Sequence, residues 1–203
     1  MKQLCVVLIG LLASVGVSFA EEAGFVSLFD GKSLSGWSPA PGGSWEVVDG
    51  AILGKSAKAE KRHGILLSDK SYGDFVVRAK FKVTQGDSGF YFRSERVPSK
   101  VSVNGFQVEV DSSQETGGLY ETGGRAWVNK PTPEDIPKKK YVPGEWTDLE
   151  VHAVGKNVTV KINGVVTSEL KNDQGRTEGI FGLQLHGNMD MHVEYKDIRI
   201  KAL

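Results

Sequence analysis

Apolar and polar residues alternate along many short stretches of this chain, and this alternation constrains the fold more than any other feature of the sequence. Every second residue from Phe75 to Val83 is apolar, and most residues between them are Arg or Lys. Side chains of a β-strand point to opposite faces in turn, so the pattern predicts a strand buried on one face. No stretch after residue 20 has the 3.6-residue period of an amphipathic helix, which indicates an all-β protein.

Turn signals separate these stretches and favour antiparallel pairing. Asp49-Gly50 lies between segments 44–48 and 51–53, and Asn163-Gly164 lies between 157–162 and 165–170. Both dipeptides suit the positive φ angles of a type I′ turn, so both regions are predicted hairpins. A slip in the alternation near residues 196–197 predicts a β-bulge in the last strand. About a dozen such strands predict one domain over residues 21–203, a β-sandwich or jelly roll of two antiparallel sheets.

Residues 1–20 have the pattern of a secretory signal peptide. Lys2 precedes a mostly apolar run over residues 4–17, and small residues before Glu21 favour cleavage after Ala20. The run is short for a membrane span, which needs about 20 residues. Cys5 stands at the wrong end of the run for a lipoprotein signal. We therefore expect a secreted or periplasmic protein with no integral membrane segment after signal removal.

Composition narrows the chemistry and the partners. Removing residues 1–20 removes the one cysteine and leaves 24 basic and 25 acidic residues. A chain without cysteine forms no disulfide, thiolate nucleophile or cysteine-ligated zinc site. A net charge near zero disfavours nucleic acid or an anionic membrane as the main partner.

The stretch 105–111, GFQVEVD, contains the strongest candidate site. Its polar residues Gln107, Glu109 and Asp111 share one strand face, and this face carries two carboxylates and no cation. Glu109 and Asp111 are expected about 7 Å apart along the strand, a range that overlaps the carboxylate spacings of both retaining and inverting glycosidases. The alternative is a strand face that is simply solvated.

Three further stretches supply side chains that suit a sugar site. Residues 89–93 place Tyr91 and Arg93 on one face, and residues 179–186 place Gln184 and His186 on one face. If the sheets curve, these residues and the row 107–111 would share a concave face able to bind hydroxyl groups and move protons. The region 117–128 contains two aromatic residues and one arginine: Tyr120, Trp127 and Arg125. The aromatic rings either stack on a sugar or pack in the core. His63, His152 and His192 are predicted to lie outside the site, and the run 138–140 of three lysines is predicted to be a solvated turn.

Ten short motifs, spread over nearly the whole chain after the signal, resemble the 3-keto-disaccharide hydrolase domain. This family has a concanavalin A-like sandwich fold and is frequent in secreted bacterial proteins. The matching stretches, in chain order, are Leu28–Trp37, Trp45–Gly50, Tyr72–Phe75, Asp87–Arg93, Gly105–Val110, Thr116–Tyr120, Pro143–Trp146, Asn163–Gly164, Gly182–Gly187 and Asp197–Lys201.

The resemblance implies cleavage of glycosides whose sugar is already oxidised at C3. It carries Arg93, Gln107, Glu109 and His186 over as cleft residues, with Glu109, His186 and Arg93 as catalytic residues and Glu109 as the base. The other expected substrate-binding residues are Asp111, Tyr91, Tyr120, Arg125, Trp127 and Gln184. Some relatives use a divalent cation, and the metal ligands here are left unassigned.

One departure from the family pattern concerns the site. Asp87 stands where the family usually has Asn, so an acidic side chain near the cleft is a candidate to bind a cation. Two other functions remain open on this fold: a non-catalytic carbohydrate-binding module and a cell-surface domain that binds a protein.

Overall fold

A computed structural model describes residues 23–203, and the predicted signal segment 1–20 lies outside the described residues. Within this range no helix is long and apolar enough to cross a membrane. The elements in chain order are β1 (Val26–Ser27), β2 (Trp37–Pro39), β3 (Ser44–Val48), β4 (Ala51–Ser56), β5 (Gly64–Tyr72), β6 (Phe75–Gln85), β7 (Asp87–Arg96), β8 (Val103–Asp111), β9 (Leu119–Thr122), β10 (Ala126–Asn129), α1 (Asp135–Lys138), β11 (Thr147–Val154), β12 (Asn157–Ile162), β13 (Val165–Leu170), β14 (Gly179–Leu185) and β15 (Met191–Ala202).

The strands form two antiparallel sheets, which confirms the predicted all-β sandwich. The first sheet has the order β13-β12-β11-β6-β15-β4-β3, with β1 paired to β15. The second sheet has the order β10-β9-β8-β7-β14-β5-β2, so the predicted central strand β8 lies between β7 and β9. Several neighbours in each sheet, such as β6 with β15 and β7 with β14, come from distant parts of the chain, so long-range pairing decides how the consecutive strands are joined into sheets.

The core lies between the sheets and follows the alternation in the sequence. The apolar residues of β6 are buried and pack against apolar residues of β7, β8 and β14 in one cluster. Phe75 of β6 contacts Phe92 of β7 and Phe181 of β14, with ring centroids 6.3 and 5.0 Å apart and near-perpendicular rings. Burial of such side chains stabilises the sandwich by about 1.5–3 kcal/mol each and leaves the polar residues on the two outer faces.

The predicted turns and bulge are present. Asp49 and Gly50 have φ angles of 49° and 77°, and Asn163 and Gly164 have φ angles of 49° and 80°. Both central residues of each hairpin turn are thus in the left-handed region that a type I′ turn requires. In β15 the register shifts between Lys196 and Arg199, where Asp197 has a φ of 52°.

The region 131–143, which carries the lysine run 138–140 predicted to be a solvated turn, differs in part from that prediction. It contains the single helical turn α1, and Lys139, which follows α1, is only 2% exposed. The Lys139 Nζ atom donates hydrogen bonds to the carbonyl oxygens of Gln114 and Thr116 at 2.7 and 2.8 Å. The prediction of a solvated lysine run is therefore wrong at Lys139, because its charge is satisfied by backbone carbonyls instead of water.

Candidate functional site

A cleft of about 390 Å³ lies on the outer face of the second sheet. Strands β7, β8, β9 and β14 form its floor, and the loop before β5, the loop after β8 and strand β10 form its walls. Its lining residues are His63, Asp87, Tyr91, Val101, Gln107, Glu109, Asp111, Glu115, Tyr120, Thr122, Trp127, Gln184 and His186. The cleft thus brings together eight of the ten predicted site residues.

The polar row of β8 forms the centre of the floor, as the alternation predicted. Glu109 is only 6% exposed, and the Gln107 Nε2 atom donates a hydrogen bond to its Oε2 atom at 3.1 Å. Gly89 pairs with Glu109 across the β7–β8 ladder, and a Cβ atom there would come within 2.5 Å of the Gln107 side chain. Glycine at this position therefore lets the Gln107 side chain lie across β7.

The Glu109 carboxyl group holds a proton beside Asp87. Burial, together with a hydrogen bond to Asp87 and the negative charges of Asp87, Asp111 and Glu115, raises the pKa of Glu109 to about 10. Glu109 is therefore protonated at neutral pH in the free protein. In the unliganded cleft Glu109 thus carries a proton, whereas the role of base that the family resemblance implies needs its ionised form.

Asp111 lines the cleft and is also hydrogen-bonded to residues of the loop that follows β8. Its Oδ1 atom accepts hydrogen bonds from the Thr116 hydroxyl at 2.6 Å and from the Ser113 N–H at 3.0 Å. The Tyr141 hydroxyl donates to the Asp111 carbonyl oxygen, and Lys139 holds the carbonyl of Thr116. These bonds fix the loop after β8, whose residue Gly118 accepts a hydrogen bond from the Glu109 N–H at 2.9 Å.

Two histidines form one wall of the cleft. The rings of His63 and His186 have centroids 4.1 Å apart at an interplanar angle of 64°. The His186 Nδ1 atom lies 2.7 Å from the Gly187 carbonyl oxygen, which can only accept, so Nδ1 carries the proton and Nε2 has a free lone pair. Burial, and the proximity of His186, lower the pKa of His63 to about 4. His63 is therefore neutral at neutral pH.

A chain of hydrogen bonds fixes the tautomer of His63. The Gln184 Nε2 atom lies 3.4 Å from His63 Nδ1 and 3.1 Å from the Tyr91 hydroxyl, which contacts the Thr122 hydroxyl at 2.9 Å. An amide nitrogen can only donate, so His63 Nδ1 accepts and the ring proton sits on Nε2. Burial raises the pKa of Tyr91 far above its usual value. Tyr91 and Gln184 therefore belong to the floor, where they orient His63.

Tyr120 and Trp127 form the opposite, aromatic wall. They are half-buried, on the paired strands β9 and β10, and their rings meet edge to face with centroids 5.5 Å apart. The Lys130 ammonium group lies 4.1 Å from the Trp127 ring centroid. Half-exposed aromatic rings on a cleft wall can stack on the apolar face of a sugar ring.

Arg93 does not reach the cleft, which corrects the sequence prediction. Its φ of 47° and the register shift between Phe92 and Glu95 break the alternation of β7, so Arg93 no longer shares a face with Tyr91. The guanidinium group is 1% exposed and donates to the carbonyls of Gly73 and Gly155 and to the Asp74 carboxylate, the last at 3.0 Å. Arg93 thus joins the start of β6 to the turn between β11 and β12, and it is not among the residues that line the cleft.

Arg125 is also absent from the cleft lining. It follows the turn between β9 and β10 and forms ion pairs with Glu121 and with both carboxylate oxygens of Asp173, the latter at 2.8 Å. These pairs raise its pKa further above the usual value. Arg125 thus connects this hairpin to the loop after β13, and it does not line the cleft in which the sequence placed it as a substrate-binding residue.

The sequence interpretation missed His63 as a site residue and assigned no role to Asp87 beyond a cation. His63 lies directly before β5, and it reaches the cleft because β5 pairs with β14, which carries Gln184. No local pattern reveals that pairing. For Asp87 a signal existed, since it opens β7 and pairs in register with Asp111, and it departs from the usual residue of the family it resembles.

A divalent cation was an open expectation for this cleft. Carboxylate oxygens are the ligands that Ca²⁺ and Mg²⁺ prefer. However, residues 23–203 contain no group of three or more His, Cys, Asp or Glu side chains arranged to hold a metal ion. Two of the cleft carboxyl groups are also engaged, since Glu109 is hydrogen-bonded to Asp87, and Glu115 pairs with Lys130. The present side-chain arrangement does not fit a bound cation, and no chemical step is assigned to one.

Comparison with known proteins supports the resemblance found in the sequence. The family model of the 3-keto-alpha-glucoside-1,2-lyase-like domain matches residues 24–201. Among curated proteins, no sequence matches this chain.

Several solved structures share the fold. A protein described as a glycosyl hydrolase from Parabacteroides distasonis ATCC 8503 has a TM-score of 0.67 and 22% identity, covering 89% of this chain and 94% of its own. Carbohydrate binding module CBM66 from Bacillus subtilis has a TM-score of 0.64 and 18% identity, covering 82% and 96%. The VIP36 exoplasmic/lumenal domain, bound to Ca²⁺ and Man3GlcNAc, has a TM-score of 0.57 and 13% identity, covering 89% and 88%. At these identities the likeness shows the fold alone.

Proposed function

Because the chain belongs to the 3-keto-alpha-glucoside-1,2-lyase-like domain family, we propose that it is an exported enzyme that cleaves 3-keto-glycosides by elimination across C1 and C2, followed by addition of water. The observation that carries this proposal is the buried Glu109 carboxyl group, which holds a proton beside Asp87 in the same sugar-sized cleft as His186, whose ring is oriented by the Gly187 carbonyl. Elimination needs both an acid and a base, and these groups supply both. Export is supported by the signal-like residues 1–20.

The chemistry assigns one proton transfer to each group. A ketone at C3 acidifies the proton on C2, and the free Nε2 atom of His186 accepts that proton. The electron pair left on C2 forms the C1–C2 double bond as the C1–oxygen bond breaks. Glu109 donates its proton to the departing oxygen, and its anionic form then accepts a proton from the water that adds to C1. The proton on His186 exchanges with solvent while the unsaturated sugar is bound, and His186 then delivers a proton to C2, so atoms and charges balance over the cycle.

Neutral His63 suits stabilisation of the enolate oxygen. Its Nε2 proton faces no partner in the hydrogen-bond chain that fixes Nδ1. A neutral imidazole that donates a hydrogen bond stabilises a developing oxyanion without giving up its proton. This role replaces the one that the sequence gave to Arg93.

A carbohydrate-binding module without catalysis is the second candidate. It is favoured by the aromatic wall of Tyr120 and Trp127 and by the same fold in a protein named as a carbohydrate binding module. A binding module needs aromatic rings and hydrogen-bonding groups, but it does not need a protonated carboxyl group such as that of Glu109.

The decisive experiment measures turnover of a 3-keto-disaccharide against the same disaccharide with a C3 hydroxyl group, in D₂O. Our proposal requires cleavage of the keto form alone, with one deuterium at C2 of the product. Cleavage without deuterium at C2 would indicate direct hydrolysis. Binding without cleavage of either sugar would favour the module. Loss of turnover on adding a chelator, restored by a divalent cation, would show that the acid–base assignment omits a metal.

A further inference from the structure

A second depression adjoins the cleft and has the opposite charge. It has a volume of about 360 Å³ and is lined by Ala40, Pro41, Arg62, Arg96, Val97, Pro98, Ser99, Lys100 and Ser102, here called the basic groove. Three of these residues are cationic and none is acidic. The cleft, in contrast, is lined by four carboxylates and by no Lys or Arg.

The two depressions share their dividing wall. Arg62 and Lys100 line the groove, and the residues that directly follow them in the chain, His63 and Val101, line the cleft. The His63 N–H donates to the Lys100 carbonyl oxygen at 3.1 Å, which ties the two segments together. A ligand that extends past His63 therefore enters the basic groove.

The three cations lack carboxylate partners among residues 23–203. Two other surface cations of the described chain, Lys55 and Arg176, pair with Glu46 and Glu95. Arg62, Arg96 and Lys100 form no ion pair with a described side chain, although an Arg96 Nη2 atom donates to the Ser38 carbonyl oxygen at 3.4 Å. The acidic neighbour Glu60 uses its Oε1 atom to accept the Arg62 backbone N–H at 2.9 Å.

We propose that the basic groove binds an anionic group, a carboxylate or sulfate, on the sugar or aglycone unit next to the one held in the cleft. Guanidinium groups bind such planar or tetrahedral oxyanions through paired hydrogen bonds. This subsite deepens the proposed function, because it adds charge selectivity to the same saccharide site. A neutral unit sits among the carboxylates, and the acidic unit lies beyond His63 among the cations.

The test uses binding of three disaccharides that differ in one unit: glucose, glucuronic acid or glucose sulfate. Calorimetric titration at low and high salt compares the wild type with a triple variant, Arg62→Gln, Arg96→Gln and Lys100→Gln. The matched control removes three exposed lysines outside the groove, Lys32→Gln, Lys70→Gln and Lys171→Gln. We expect an anionic disaccharide to bind about tenfold or more tightly than the neutral one, with the preference reduced by high salt.

The preference should disappear in the groove variant and persist in the control variant. Tighter binding of the glucuronic acid disaccharide or of the sulfated disaccharide identifies which anionic group the groove binds. Equal binding of neutral and anionic disaccharides, or a preference unchanged in the groove variant, overturns the subsite. Binding without cleavage of C3-oxidised forms would defeat the enzyme proposal and leave the subsite intact, so the two failures are distinguishable.

Discussion

The outer faces of the two sheets look alike in sequence and differ in chemistry. On the first sheet, Lys82 of β6 pairs with Glu194 of β15 at 2.6 Å, and Glu150 of β11 pairs with Arg78 and Lys161 at 2.7 and 2.8 Å. Each of these three cations, Lys82, Arg78 and Lys161, has its carboxylate partner on the neighbouring strand. On the second sheet, Glu109 is buried beside other carboxylates and binds a proton instead.

The difference shows which feature marks a site on a sheet. Alternation with charged residues occurs on both faces, so alternation alone does not distinguish them. Cross-strand pairing of opposite charges is typical of a solvated face and contributes little free energy. Buried carboxylates without cations destabilise a fold, and such costs are concentrated at functional sites.

The largest expected effect is on turnover, from a matched pair of substitutions on the two faces. Glu109→Gln keeps the side-chain shape but removes the acid, so kcat for a 3-keto-disaccharide should fall by about 10²–10⁴-fold. Glu150→Gln, on the opposite sheet, should leave kcat within about twofold. Steady-state kinetics on both variants, with thermal melts to verify folding, checks the contrast. Equal losses in both variants would break the assignment of the cleft.

The carboxyl groups of Glu109 and Glu150 should also affect the free energy of unfolding, with opposite dependence on pH. A carboxyl whose pKa is raised by folding, as in Glu109, stabilises most below its unfolded-state pKa, and this contribution is lost as the pH rises toward about 10. The free energy of unfolding of Glu109→Gln should therefore rise relative to wild type as the pH increases, by at most about 1.4 kcal/mol per pH unit.

Glu150 should show the reverse sign. Its partial burial opposes ionisation, but hydrogen bonds from Lys161 and Arg78 outweigh that effect and lower its pKa. Its contribution is therefore present above the unfolded-state pKa and is lost as the pH falls. Urea unfolding of both variants at several pH values measures the two slopes, and slopes of the same sign would contradict the contrast.

A smaller effect is expected beneath the cleft, where Lys139 holds the loop after β8. Lys139→Met removes two buried hydrogen bonds and leaves two carbonyl oxygens unsatisfied, at a cost of about 1–3 kcal/mol in stability. Its exposed neighbour is the control, since Lys138→Met should change stability by less than about 0.5 kcal/mol. Urea denaturation measures both, and an unchanged Lys139→Met variant would show that water replaces the ammonium group.

The smallest effect is expected on the charge ladder of the first sheet. Lys82→Gln breaks the ion pair with Glu194, and the Lys82 ammonium also lies 4.9 Å from the Trp146 ring centroid. Such pairs contribute about 0–1 kcal/mol and are screened by salt. A double-mutant cycle with Glu194→Gln, at low and high salt, measures the coupling. A coupling well above this range would remove the energetic difference between the two faces.

Where local rules applied, the sequence interpretation was accurate. The alternation of β6 and β8, the Asp-Gly and Asn-Gly hairpins and the bulge near Asp197 depend on residues within a few positions of one another. The strand period and the turn residues can therefore be recognised directly in the sequence. The row Gln107, Glu109 and Asp111 lies in the cleft for the same reason.

The sequence by itself thus determined the strands, their turns and the polar row of β8, because these follow from the geometry of a few consecutive residues. Only the tertiary structure decided which strands are neighbours, and with that the environment of each charge. It placed His63 against His186 and Asp87 beside Glu109. It also directed the Arg93 side chain away from the cleft, because Arg93 itself has a positive φ angle, and it buried Lys139 under the loop after β8. Proton affinity and ion pairing depend on groups that are distant in the chain, so no local pattern records them.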